Sequence, residues 1–219
     1  MRFFSVLRLA GSLGVLSWCA YGQSTEIKGL PPRAAPTDYQ VQGKAGTVTL
    51  AAEFAGHGVP TPQGTFNTED YVVVEVGLYG PPEARLTLST EDFSLRINGK
   101  KMPVPSESYL MILKSLKDPD WAPPDPGEGK SKSKGGITGG GGGGGGGGND
   151  PPPPPPKMPL ELQRAMAQKV QKAVLSEGDR ALPVAGLLFF PYRGKAEGIH
   201  SLELLYSGPA GKATVNLQP

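Results

Sequence analysis

The chain has one cysteine, Cys19, and two histidines, His57 and His200, among 219 residues, and no apolar run long enough to cross a bilayer. Each shortage removes a class of chemistry. A lone cysteine in the first twenty residues leaves the remainder without a disulfide, a thiolate metal site or a cysteine nucleophile. Two histidines limit any serine–histidine–acid triad to two choices of base, and no Gly-x-Ser-x-Gly elbow accompanies either. Lys and Arg number 22 against 20 Asp and Glu, and without Arg2 and Arg8 the two signs balance. A neutral chain lacks the field that draws proteins to nucleic acid or to anionic membranes, so neither is expected as a partner.

The N-terminus carries Arg2 and Arg8 with no acid, then a short apolar run from Leu9 to Trp18 broken only by Gly and Ser, then Ala20-Tyr21-Gly22. That order predicts a secretory signal peptide over 1–22, cleaved near Gly22. Leu16-Ser17-Trp18-Cys19 has the outline of a lipobox, but Trp18 stands where a small residue is needed, so lipid anchoring at Cys19 is not expected. The mature chain is then secreted or periplasmic, with no stable membrane span.

Residues 23–45 are rich in Pro, Gly, Gln and Thr and predict an extended arm. From Thr47 the pattern changes, with apolar Val48, Leu50, Ala52 and Phe54 at every second position. A period of two is that of a half-buried strand. Gly56 to Gln63 breaks it with Gly and Pro. Tyr71 to Tyr79 is the strongest strand, with Val72, Val74, Val76 and Leu78 on one face, and it should sit centrally. Arg85 to Ser89 and Phe93 to Ile97 alternate again. Asn98-Gly99 predicts a two-residue hairpin turn, because both positions tolerate positive φ, and Lys100 to Val104 is the expected returning strand.

Residues 118–159 are low in complexity: a Pro/Asp start around Trp121, a Lys/Ser/Gly stretch, glycine from Gly139 to Gly148, and proline from Pro151 to Pro156. Such a segment offers too little apolar surface to offset the entropy of ordering it, which predicts a disordered linker. Residues 160–176 carry Leu162, Met166, Val170 and Val174 at intervals of four, a helical stripe with Pro159 at its start and Gly178 as its stop. The stripe should pack on an edge of the β structure.

Leu182 to Phe190 is continuously apolar, as in a strand buried on both faces, and Ser201–Tyr206 and Lys212–Leu217 alternate around Gly208-Pro209. About seven strands bounded by turn residues predict a mainly β, immunoglobulin-like antiparallel β-sandwich with one inserted helix. Strands lie on both sides of the linker, so one domain over 46–219, interrupted by 118–159, is expected.

Glu75-Val76-Gly77-Leu78-Tyr79, the run Leu86 to Leu95 with Asn98-Gly99, Leu175-Ser176-Glu177-Gly178, and Ala185-Gly186-Leu187-Leu188-Phe189-Phe190-Pro191 together resemble the telokin-like, Ig-fold domains of exported bacterial proteins of unknown function. The resemblance covers the β segments, somewhat over half of the mature chain. It implies a fold and an extracytoplasmic location, and it brings no catalytic residues. The Pro/Gly insertion and the added helix depart from the pattern.

Several features imitate sites. Gly127-Glu128-Gly129-Lys130-Ser131 ends like a phosphate-binding loop, but Pro124 occupies the first glycine position and no strand or helix flanks it. Asp118, Asp120, Asp125 and Glu128 lack the spacing of a calcium loop. Lys130, Lys132 and Lys134 are a solubilising tract in a neutral protein. His57 and His200 are expected in solvated loops. Among Tyr71, Tyr79, Tyr109, Trp121 and Tyr192, packing is the default; Trp121 is the candidate partner contact, since it lies where a polyproline segment could dock. No catalytic, metal or cofactor residues are expected. These readings point to a non-enzymatic binding or structural module of the cell envelope or periplasm, facing a protein partner of the envelope or exterior. The alternative is a carbohydrate- or ion-binding accessory β-sandwich domain.

Overall fold

The computed structural model describes residues 29–122 and 158–219. The expected signal segment with Cys19, the loop Gly127–Ser131, the lysine tract, Asp125, Glu128 and the glycine and proline runs lie outside the described residues. The chain is mainly β, in several antiparallel sheets. Its strands are β1 (Val41–Ala45), β2 (Val48–Phe54), β3 (Gly58–Thr61), β4 (Gly64–Thr68), β5 (Tyr71–Tyr79), β6 (Arg85–Leu88), β7 (Phe93–Ile97), β8 (Val104–Pro105), β9 (Leu116–Lys117), β10 (Gly178–Ala181), β11 (Val184–Pro191), β12 (Leu202–Gly208) and β13 (Gly211–Leu217). Two helices, α1 (Tyr109–Ile112) and α2 (Leu160–Ala173), complete the described elements longer than a 3-10 turn.

Two four-stranded sheets, ordered β1-β2-β5-β11 and β13-β12-β7-β8, carry the architecture. One core lies between them. Val72, Val74, Val76 and Leu78 of β5 meet Phe93, Leu95 and Ile97 of β7 and Leu202, Leu204 and Tyr206 of β12, and all are essentially buried. Alternation produces this directly, because every second side chain of a strand shares a face. Strands on opposite sides of the linker pair with each other: β5 with β11, β7 with β12 and β6 with β10.

The first sheet is covered on its other face too. Register sets Val73 opposite Phe189 and Val72 opposite Phe190, so neighbouring residues of β11 enter different cores. Phe190 and Leu188 join the core between the sheets, whereas Leu187 and Phe189 point outward with Tyr71 and Val73. Met166, Val170 and Ala173 of α2, Val59 of β3, Phe66 of β4 and Ile112 of α1 cover them. The helix therefore lies across an outer sheet face and not on an edge as its stripe alone suggested. The reason is that β5 and β11 present apolar side chains on both faces, and the outer set needs a lid.

The helix also ends before Gly178. Val174 turns extended, with φ −67° and ψ 146°, and bridges to Leu187 of β11. Leu175 then donates its N–H to Leu187 O at 3.2 Å and passes its side chain into the core between the sheets. Gly186 permits the crossing, because a Cβ there would lie 2.3 Å from the Leu175 backbone. With Glu107 bridging Phe189 further along, the outer edge of β11 is occupied at two points, a common way to prevent a sheet from recruiting foreign strands.

Four further local expectations are corrected. The arm expected over 23–45 gives way at Val41 to β1, which pairs along its whole length with β2; small residues at Gly43 and Ala45 had muted its alternation. The Gly/Pro break at 56–63 contains β3, whose hairpin with β4 tolerates Pro60 because the strand lies at a sheet edge. Gly178–Ala181 forms β10 against β6. Asn98 and Gly99 do adopt positive φ, 52° and 64°. The return strand, however, is only Val104–Pro105, since Pro103 and Pro105 lack the N–H donors that a longer ladder needs. Thirteen strand segments thus form among the described residues where about seven were expected, several of them too short or too rich in Gly and Pro to announce themselves.

Candidate functional site

One corner of the molecule brings together charge, exposed apolar surface and a cavity. It is a cleft of about 670 Å³ where the start of β5, the end of β11, the β7–β8 loop and α1 meet. Lys100 and Lys114 stand on its walls beside Met111, with Asp70, Glu107 and Arg193 around them.

Its two carboxylates are engaged. Tyr71 Oη donates to Glu107 Oε2 at 2.8 Å, and Arg193 Nε pairs with Asp70 Oδ1 at 3.2 Å. Burial first, then the hydrogen bond to Glu107, pushes the Tyr71 phenol up to about 12, so it remains a donor across the physiological range. The side chains of Lys100 and Lys114 form no hydrogen bond or ion pair among the described residues. Beside them α1 is capped by Ser108, whose Oγ accepts from Leu110 N–H, and sends Ile112 into the outer core. One helical turn cannot bury all its residues in one direction, so Leu110 is left 58% and Met111 51% exposed.

A second, smaller recess of about 310 Å³ lies behind Glu107 against the occupied edge of β11. Glu177 on its rim accepts from both the N–H and Oγ of Thr90, at 3.0 and 2.7 Å. Those bonds hold its carboxyl below the usual range. They engage Oε1 and tie the β6–β7 connection to the one between α2 and β10.

The sequence-predicted residues are placed as follows. His57 is not a solvated loop side chain. Its Nδ1 lies 2.6 Å from Tyr71 O and its Nε2 2.9 Å from Gly194 O, while its ring stacks on Tyr192. Both ring nitrogens face main-chain carbonyls. His200 is exposed, and its backbone N–H donates to Asn98 Oδ1 at 2.7 Å. Trp121 is half-buried and closes a turn through its N–H to Asp118 O at 3.1 Å. The polyproline that could meet it is outside the described residues. Tyr71, Tyr79, Tyr109 and Tyr192 do not gather into a platform: Tyr71 and Tyr79 share the outer face of the first sheet but stand at opposite ends of β5, where Tyr79 donates to Arg33 O. Among the described residues no group of three or more His, Cys, Asp or Glu side chains is arranged to hold a metal ion.

The reading from sequence did not single out Lys100, Glu107, Met111 or Lys114. A usable signal was present in Tyr109-Leu110-Met111-Ile112-Leu113, five apolar residues in a stretch with no strand period. Such a run bounded by Ser108 and Lys114 cannot be buried on every side.

A further charged cluster holds the N-terminal segment. Glu53 of β2 and Glu75 of β5 are directly opposite in register, an arrangement that destabilises a sheet unless a cation joins it. Arg33 does so. Its guanidinium takes both oxygens of Glu75 at 3.3 and 3.0 Å, also bonds Glu53, and lies 4.3 Å from the centre of the Tyr39 ring. All three nitrogens of the fork donate to the protein, to Glu75, Glu53 and the Asp38 carbonyl, which makes the cluster a clamp. No family model, curated protein or solved structure matches the chain.

Proposed function

We propose that the chain is an exported, immunoglobulin-like β-sandwich that acts as a non-enzymatic binding module of the cell envelope or periplasm and meets a protein partner through the surface around α1. Two antiparallel four-stranded sheets sharing a core, with the chain passing from one sheet to the other between β5 and β7 and again between β11 and β12, support the immunoglobulin-like part. The basic, then apolar, then small-residue order of 1–22 supports export. The observation that carries the binding role is the exposure of the neighbours Leu110 and Met111 on α1, with Met111 on the cleft wall; among the described residues Met102 and Leu160 are the other large apolar side chains left exposed. Exposed apolar groups rimmed by charge mark interaction surfaces.

Site-specific photo-crosslinking in the native host tests this. A photoreactive residue at Leu110 should capture a discrete partner from the envelope fraction, and the same residue at Lys212 on β13 should not. Recovery of the chain in the cytosol with residues 1–22 intact, or equal capture from both positions, would overturn the proposal.

A further inference from the structure

The cleft beside α1 has a chemistry more specific than a general contact surface. Asp70 is paired with Arg193, and Glu107 keeps its charge while accepting from the neutral Tyr71 hydroxyl, so Lys100, Lys114 and Arg193 outnumber the two carboxylates on the cleft walls and neither lysine side chain is ion-paired among the described residues. The corner is thus locally cationic in a chain whose overall charge is close to balanced. Met111, half-exposed, lines the same cleft as the two lysines, and Leu110 precedes it on α1. A thioether is polarisable and conformationally adaptable, suited to receiving an apolar side chain of variable shape.

Resting on the binding-module reading above, we infer that the cleft recognises an acidic polypeptide segment carrying one large apolar residue. The carboxylates pair with Lys100 and Lys114, and the apolar side chain seats against Met111. Charge complementarity selects an anionic occupant, and the exposed Met111 and Leu110 require that it also have an apolar anchor. An acidic saccharide fits less well. Sugars stack on free aromatic faces, whereas here Tyr71 is buried and Tyr192 stacks on His57. Strand addition to β11 is also closed off, because Glu107 and Leu175 already use its outer edge. Side chains and not a β ladder are left to make the contact.

The test is fluorescence anisotropy with the purified full chain and a short labelled peptide in which aspartates and glutamates flank one leucine. Companion probes carry lysines in place of the acids, or serine in place of the leucine, and an oligogalacturonate is measured in parallel. The acidic leucine peptide should bind and weaken with added salt. Affinity should fall about tenfold in a Lys100→Glu/Lys114→Glu variant and about fivefold in Met111→Ser, with thermal midpoints unchanged because all three side chains are exposed. Equal binding by wild type and the charge-reversed variant, absence of peptide binding, or binding of the oligogalacturonate alone would overturn the inference. So would self-association through this surface, or peptide binding that emerges only when Asp125 and Glu128 are changed to serine, since the occupant would then be a second copy or the chain's own acidic segment. Crosslinking at Leu110 separates the two levels: partner capture without peptide binding rejects the acidic segment but keeps the module, and failure of both rejects both.

Discussion

Phe189 and Phe190 are adjacent, equally buried, and belong to different cores. Phe190 sits between the two large sheets, in a core drawn from strands along the whole chain. Phe189 sits under α2 and the β3–β4 hairpin, in a layer that covers one sheet from outside. The comparison shows that a single strand can organise two assemblies of unlike origin. The inner core follows from a period of two repeated in many strands. The outer one depends on a helix that arrives only after the linker.

That difference can be broken most sharply by truncating each ring. Phe190→Ala should cost about 4 kcal/mol and lower the global unfolding midpoint, since every element of the inner core is interlocked. Phe189→Ala removes a ring of the same size, but its loss should be about 3 kcal/mol at most. It should also appear first as faster hydrogen exchange in α2 and β3, with β7 and β12 still protected. Uniform loss of protection in both variants would show that the two cores unfold as one unit.

The clamp on the outer face of the same sheet gives the next effect. Arg33→Met leaves Glu53 and Glu75 facing each other without a cation. The expected destabilisation is about 2 kcal/mol by urea unfolding, less than for a fully buried pair because the guanidinium and Glu53 are partly solvated. A Glu75→Gln change on that background should restore part of it. No recovery would mean that Arg33 contributes through its packing on Tyr39.

Alkali probes the hydroxyls that frame the sheet. Burial raises the Tyr71 phenol to about 12 and shifts Tyr39, Tyr79 and Tyr206 upward as well. A raised folded pKa keeps the proton on the folded chain while the unfolded chain loses it. Stability is therefore complete below about pH 10, the ordinary tyrosine value, and falls as pH rises toward 12. Tyr71→Phe should flatten part of that decline while costing about 1 kcal/mol at neutral pH, because Glu107 loses its donor. The smallest effect is expected at Tyr39, whose buried hydroxyl has no well-formed hydrogen bond among the described residues. Tyr39→Phe should be neutral or stabilising by up to about 1 kcal/mol, and a clear loss would show that the hydroxyl is in fact bonded.

These outcomes also mark what was legible in the sequence. Val72 to Leu78 and Phe93 to Ile97 declared their faces by alternation, and the unbroken apolar run through Phe190 declared a strand covered on both sides. Residues 160–173 declared a helix but not the surface it would cover, because that depends on which face of β5 and β11 is left open. β3 and β10 were hidden by Pro60 and by the glycine and charged residues of 178–181, which suit edges and carry little hydrophobic signal. The cleft was least legible. Lys100, Glu107, Lys114 and Tyr192 are ordinary in their own neighbourhoods, and only the pairing of β5 with β11 brings them to one corner.

The same pairing governs the order of folding. Val72 and Phe190 are register partners 118 residues apart, so the inner core cannot close until nearly the last strands have been synthesised. Contacts of such range slow folding, because closure entropy is lost before the contacts form. Yet that entropy grows only with the logarithm of length, about 0.6 kcal/mol for each doubling of a flexible loop. The length of chain between β5 and β11 is therefore a weak constraint on the fold, whereas the register that sets Val72 opposite Phe190 is a strict one.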